Sequence, residues 1–162
     1  MNNDKMVDHP GHYEKGNGHK ECIELLEVLT RGYSGIAAGC VMQAKYLYRA
    51  GSKNEEGLTI EQKFVQDFKK CSWYLKYFRT SAKRFTTMGI GILPTGFRCD
   101  TMKTKEEIDE LVYEFTFDKS DEVKKVYSVL LPKLANLHSF EDIDDCIYRL
   151  DHLVFELETK AA

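Results

Sequence analysis

The stretch Thr59-Ile60-Glu61-Gln62-Lys63-Phe64-Val65-Gln66-Asp67-Phe68, continued by Cys71, Leu75 and Phe78, decides how this chain folds. Thr59 is a favoured cap residue and Gln62 stands three positions on. A Gln side chain at that distance can reach back to the cap amide and complete a capping box. Phe64, Phe68, Cys71, Leu75 and Phe78 then recur at helical spacing and form one apolar stripe.

The same period runs outward on both sides. Cys22, Leu25, Leu26 and Leu29 fall at i, i+3, i+4 and i+7, and Gly32 stops that helix. A second helix is expected from a cap at Ser34 to Ala50, ended by Gly51, with Gly35, Ala37, Ala38, Gly39 and Ala44 allowing close approach to a neighbour. Downstream, 104–115, 120–137 and 139–159 read as three more helices, with Ser120 and Ser139 as caps. Ile143, Ile147, Leu150, Val154 and Leu157 give the last its stripe. Pro132 lacks the amide donor that the helical ladder needs, so it is expected to kink or split the middle one. Between the two sets lies 85–103, where Gly89, Gly91, Pro94 and Gly96 punctuate Ile90, Ile92, Leu93 and Phe97. An apolar loop of this kind is expected to pack back on the domain or reach a neighbouring subunit, with a short β element at Gly89–Leu93. The first 20 residues are polar and begin as a loop.

The expected fold is all-α: a compact bundle of about six helices with a glycine-rich loop in the middle. Residues 1–84 form a helical domain, and 85–162 a loop plus helical extension packed on it as one structural unit. A length of 162 residues suits one domain. No apolar run approaches the ~20 residues of a membrane helix. Met1-Asn2-Asn3-Asp4-Lys5 has neither the basic nor the apolar region of a secretory signal, so a soluble, cytoplasmic protein is expected. The balance of 23 basic against 26 acidic residues, net −3, lacks the basic excess of duplex DNA binders. Cysteines at 22, 40, 71, 99 and 146 contain no Cys-x-x-Cys pair, which suits reduced, buried thiols rather than disulfides or a zinc ribbon.

Conventional catalytic equipment is missing. There is no phosphate loop, dinucleotide fingerprint or nucleophile elbow. Glu21 and Glu24 stand at i, i+3, as in magnesium-dependent helical pyrophosphatases, but no matching acidic pair follows on the second helix. His9, His12, His19 and Cys22 are acceptable zinc ligands in a short span. They lack standard spacing, and loop histidines making hydrogen bonds are the expected reading, with no metal or other cofactor.

The most distinctive segment is Lys45-Tyr46-Leu47-Tyr48-Arg49-Ala50-Gly51-Ser52-Lys53. Lys45 and Arg49 share a helical face and Lys53 follows at the helix end. Three cations among tyrosines can grip phosphate while a ring stacks on a base. They can equally be a basic last turn complementing the helix dipole, with half-buried tyrosines. Asp67 and Lys70, at i, i+3, read locally as an ion pair, and Trp73 as either a core residue or a stacking platform.

The order His9-Pro10-x-His12-Tyr13, Glu21-x-Ile23-Glu24, Lys45-Tyr46-Leu47-x-Arg49-Ala50-Gly51-x-Lys53 and Asp67-x-x-Lys70-x-x-Trp73-Tyr74-Leu75 resembles a small bacteriophage domain family. That family includes a nucleotide kinase without a recognisable phosphate loop. The resemblance spans about residues 8–78 and departs at Val41-Met42, where family members usually carry Gly-Asn. It implies a phage protein that handles nucleotides in the cytoplasm of an infected cell. One expected function is sequestration, without cleavage, of a nucleotide immune signal such as a cyclic dinucleotide; the alternative is a deoxynucleoside monophosphate kinase. The expected ligand-binding residues are His12, Tyr13, Glu21, Glu24, Lys45, Tyr46, Arg49, Lys53, Lys70 and Trp73, with no catalytic residue named. Lys45, Arg49 and Lys53 would neutralise phosphates, Tyr13, Tyr46 and Trp73 would stack on bases, and His12 with Glu21 or Glu24 would read base edges or ribose hydroxyls. On this reading Arg49→Ala weakens nucleotide binding with little loss of fold. The expected partners are a cyclic dinucleotide or mononucleotide and further copies of the chain, as in a tetramer, with neither membrane nor duplex DNA.

Overall fold

The computed structural model describes residues 11–86 and 91–161. After a 3₁₀ turn at Gly11–Tyr13 come α1 (Cys22–Thr30), α2 (Gly35–Val41), α3 (Lys45–Arg49), α4 (Ile60–Arg84), α5 (Lys105–Thr116), α6 (Asp121–Ala135) and α7 (Phe140–Ala161). The fold is all-α, with no strand among the described residues. Helices α2 and α3 are one rod interrupted by a 3₁₀ turn at Met42–Ala44, so the bundle has about six rods. The expected limits at Ser34 and Ala50 hold, and the tighter turn between them is where the Gln43 amide donates to the Gly39 carbonyl at 3.1 Å.

Local chemistry explains the starts. Thr59 Oγ1 accepts from the Gln62 amide at 3.2 Å while Gln62 Oε1 accepts from the Thr59 amide at 2.9 Å. Thr104 and Glu107 repeat the device on α5, and Ser120 caps α6. Pro132 does not split α6, which runs on to Ala135. Its missing amide would have paired with the carbonyl of Ser128, an exposed residue where water can serve instead.

The 25-residue α4 is the spine. On one flank it carries α2 and α3; on the other it lies along α7, which packs on α6, and α6 on α5. Lys69–Glu158, Lys76–Asp151 and Arg79–Asp144 pair in descending order, setting α4 and α7 antiparallel. Each such exposed pair adds little stability, about 0–1 kcal/mol, but together they specify register. One continuous core draws on both halves of the chain, with Leu29, Leu47, Tyr48, Phe68, Phe78, Phe115, Tyr127, Leu134 and Leu150 fully buried. All five cysteines are buried and unpaired.

Two polar joints tie the halves together. Lys15 Nζ donates to Asp118 Oδ1 at 2.9 Å and lies 4.2 Å from the Tyr48 ring centroid. Lys119 Nζ donates to the Tyr48 carbonyl at 3.2 Å and to Asp118 at 2.9 Å, and burial pushes its pKa down to about 8. The glycine-rich loop packs back on the domain, as one of the two expectations had it. Leu93, Phe97 and Cys99 are buried, and the Leu93 and Cys99 amides donate to the carbonyls of His138 and Leu137 at 2.9 Å. Of the expected β element only part lies among the described residues, and there one antiparallel bridge joins Ile92 to Ser139. No helix of the described residues is long and apolar enough to cross a membrane.

Gly51 ends α3 with φ +81°, and a Cβ there would stand 2.5 Å from the Phe64 ring. Gly57 has the same φ with nothing within 4 Å. Urea unfolding should show a loss of about 2–5 kcal/mol for Gly51→Ala, where left-handed strain adds to overpacking, against about 1–2 kcal/mol for Gly57→Ala. Equal losses would mean that the Phe64 contact does not constrain the turn.

Candidate functional site

Helix α3 lies against both the 3₁₀ turn Gly11–Tyr13 and α4, and Arg49 sits where the three meet. Its side chain points inward and the residue is only 7% exposed. Nη2 donates to Asp67 Oδ1 at 3.0 Å and Nη1 donates to the Tyr13 hydroxyl at 3.1 Å. The guanidinium carbon lies 4.7 Å from the Tyr46 ring centroid and 5.7 Å from that of Tyr13. Burial opposes the charge on Arg49, but the Asp67 carboxylate outweighs it and holds the pKa above its ordinary value. Arg49 Nε and Asp67 Oδ2 are both buried without a hydrogen-bond partner among the described residues.

Asp67 pairs with Arg49 rather than forming the local pair with Lys70 that the i, i+3 spacing suggests. Lys70 Nζ lies 5.6 Å from the Tyr46 ring centroid and Lys45 Nζ 5.3 Å. Neither makes an ion pair or hydrogen bond with a described residue. Lys53, by contrast, is ion-paired with Glu55 and draws that carboxyl below its usual range. His12 packs on Tyr13 with ring centroids 4.2 Å apart. Burial, then the charges of Arg49 and Lys53, lower its pKa below 6.5 against a smaller opposing pull from Asp67, so its imidazole is neutral at pH 7.

Aromatic rings continue from this cluster along α4. Tyr46 and Tyr74 lie 14° from parallel with centroids 6.5 Å apart. Trp73 meets Tyr74 edge-on at 4.9 Å and stacks with Tyr77 at 5.7 Å and 17°. At 58% exposure, Trp73 is a surface platform rather than a core residue. It lines a shallow groove of about 500 Å³ between α2 and α4 with Ile36, Gly39, Cys40, Gln43, Tyr74 and Tyr77.

The structure therefore gathers His12, Tyr13, Lys45, Tyr46, Arg49, Lys53 and Lys70 around one point and sets Trp73 in the adjoining groove. Two roles change. Arg49 is not a free phosphate ligand but a buried residue that positions Tyr13 and Tyr46, and Lys53 is already engaged by Glu55. Glu21 and Glu24 serve the start of α1, where Glu24 Oε2 accepts from the Glu21 amide at 2.7 Å. The sequence motif includes Tyr74 without a role, and Tyr77 is not among the expected residues, although it follows Trp73 at i+4 and so shares its face. Among the described residues His12, His19 and Cys22 do not gather into a metal-binding group. His19 shares a hydrogen bond with Glu114 Oε2 at 3.0 Å and stacks on Phe117 at 3.7 Å, whereas Cys22 belongs to the core. His9 lies outside the described residues.

Residues 7–76 match the model of a family described as a protein of unknown function, DUF3310. The matched span runs from before the 3₁₀ turn into α4, so it contains Arg49, Asp67, Tyr46, Tyr74 and both unpaired lysines. No curated protein and no solved structure matches the chain.

The geometry reverses the expectation that Arg49→Ala spares the fold. Removing one partner of a buried pair strands the other, and thermal and urea unfolding should show a loss of about 3–5 kcal/mol. The apolar double variant R49M/D67L should lose less than R49A alone. Full stability in R49A would show that the pair carries no structural weight.

Proposed function

We propose that this protein binds a nucleotide and holds it intact, a sequestering pocket for a phosphorylated signal such as a cyclic dinucleotide in a phage-infected cell. The observation that carries the reading is the pair of uncommitted ammonium groups, Lys45 and Lys70, flanking a Tyr46 ring that lies near-parallel to Tyr74. Each charge-assisted phosphate contact contributes roughly 1.5–3 kcal/mol, and each stacked base roughly 1–3 kcal/mol. Two of each amount to roughly 5–12 kcal/mol, a range that includes the ~8 kcal/mol of micromolar binding. Arg49 and Asp67 hold Tyr13 and Tyr46 in place before a ligand arrives, which lowers the ordering cost of binding. The groove beside Trp73 receives a base, and the lysines face its phosphates. Sequestration needs no reacting group. Self-association into an oligomer such as a tetramer is part of this reading, and sedimentation of the free and loaded protein measures it.

Trp73 is the sole tryptophan, so its fluorescence reports directly on the groove. Titration with cyclic dinucleotides and nucleoside monophosphates should give saturable quenching, and heat denaturation should return the ligand unaltered. Lys45→Ala and Lys70→Ala should each weaken binding about tenfold, while Lys76→Ala, whose lysine pairs with Asp151, should not. No response to any nucleotide would sink the proposal. Diphosphate formed from a monophosphate, ATP and Mg²⁺ would assign the site to a kinase instead.

Proton linkage gives a second check. A phosphate beside His12 raises the imidazole pKa from its depressed value, so binding takes up a proton. Affinity should rise as pH falls through the raised value and level off below the free one, which lies under 6.5. His12→Ala should abolish that slope, and an affinity independent of pH between 5 and 8 in the intact protein would place the phosphate away from His12.

A further inference from the structure

A second polar cluster lies far along the chain from this site, where the loop after α4 meets the ends of α1 and α6. Lys103 is 4% exposed and no carboxylate pairs with it among the described residues. Its Nζ donates to the Ala135 carbonyl at 2.7 Å, to the Arg31 carbonyl, and to Cys99 Sγ at 3.2 Å. All three ammonium hydrogens are thus directed, one of them at sulfur. Gly32 makes the approach possible: with φ +89°, a Cβ there would stand 2.8 Å from Cys99 Sγ. Burial lowers the Lys103 pKa, which brings the neutral amine within reach. The other thiols differ. None of Cys22, Cys40, Cys71 and Cys146 accepts a hydrogen bond from a lysine among the described residues.

We propose that Cys99 and Lys103 are a site of reversible oxidative cross-linking, at which hydrogen peroxide joins them through a sulfur–nitrogen bond. Cys99 Sγ, whose thiol proton points at the Thr101 carbonyl 3.1 Å away, loses that proton to solvent and attacks one peroxide oxygen; the O–O bond breaks and hydroxide leaves. Sulfur is oxidised to the sulfenic acid and peroxide is reduced. The hydroxide takes a proton from the adjacent ammonium and becomes water, leaving a neutral amine 3.2 Å from sulfur. That amine attacks the sulfenic sulfur, and the S–O bond breaks with loss of a second water. The net change is thiol plus amine plus peroxide to sulfenamide plus two waters, analogous to the ring closure of sulfenic acids on a backbone nitrogen. A dithiol reductant reverses it. Cross-linking removes the ammonium from the Arg31 and Ala135 carbonyls, so oxidation loosens the joint between the ends of α1 and α6.

The full-length protein, treated with hydrogen peroxide, should lose two hydrogens by intact mass. A proteolytic digest without reductant should contain a Cys99–Lys103 linked peptide that dithiothreitol restores. Oxidised protein should melt about 4–8 °C lower than reduced. Cys99→Ser should prevent the mass change, and Lys103→Arg should leave a sulfenic acid at Cys99 that dimedone traps. Should these variants fail to fold, mapping of the wild-type digest still decides. The proposal is overturned if oxidised wild type carries dimedone at Cys99, links Cys99 to another residue, or leaves Cys99 unmodified.

Discussion

The buried contact between Arg49 and Asp67 is what the candidate site is built around. A guanidinium and a carboxylate removed from water lose several kcal/mol of solvation each, and their attraction offsets this only when geometry is good. Here the two lie on different helices, α3 and α4, so the contact also fixes where one helix sits on the other. Its influence spreads through the tyrosines. Tyr13 is held by its hydroxyl and Tyr46 by its ring face. One interaction thus anchors two rings.

What could be read in the sequence follows from how local each determinant is. The capping box at Thr59 and Gln62, the stripe of Phe64, Phe68, Cys71, Leu75 and Phe78, and the turn at Gly51 each depend on neighbours a few residues away, and all were legible. The 3₁₀ interruption at Met42–Ala44 was not, since helical spacing persists through it. Pro132 was read too strictly, because its cost depends on whether the carbonyl it strands faces water. The candidate site was legible as a list and illegible as a set of roles. Helical periodicity puts Lys45 and Arg49 on one face of their helix. It does not reveal that Asp67 lies opposite, 18 residues on, or that Glu55 captures Lys53. Whether a cation is spent inside the fold or offered to a ligand is a tertiary fact.

The C-terminal half supports the site without supplying it. Helix α7 lies along one flank of α4 and α2–α3 along the other, so α4 is held between core and groove. The joints at Lys119, Lys15 and Lys103 share one device: a lysine ammonium that donates to at least one main-chain carbonyl, beside the Asp118 carboxylate for Lys119 and Lys15. Such contacts join segments far apart in sequence.

The antiparallel pairing of α4 with α7 has an electrostatic consequence. Glu158, Asp151 and Asp144 pair with Lys69, Lys76 and Arg79 on the far flank of α4, whereas Lys70 on the near flank and Lys45 on α3 have no carboxylate partner among the described residues, on a molecule whose net charge is −3. Charge is thus partitioned across the spine helix: one flank is neutralised within the fold, and the other keeps cations that no described carboxylate cancels.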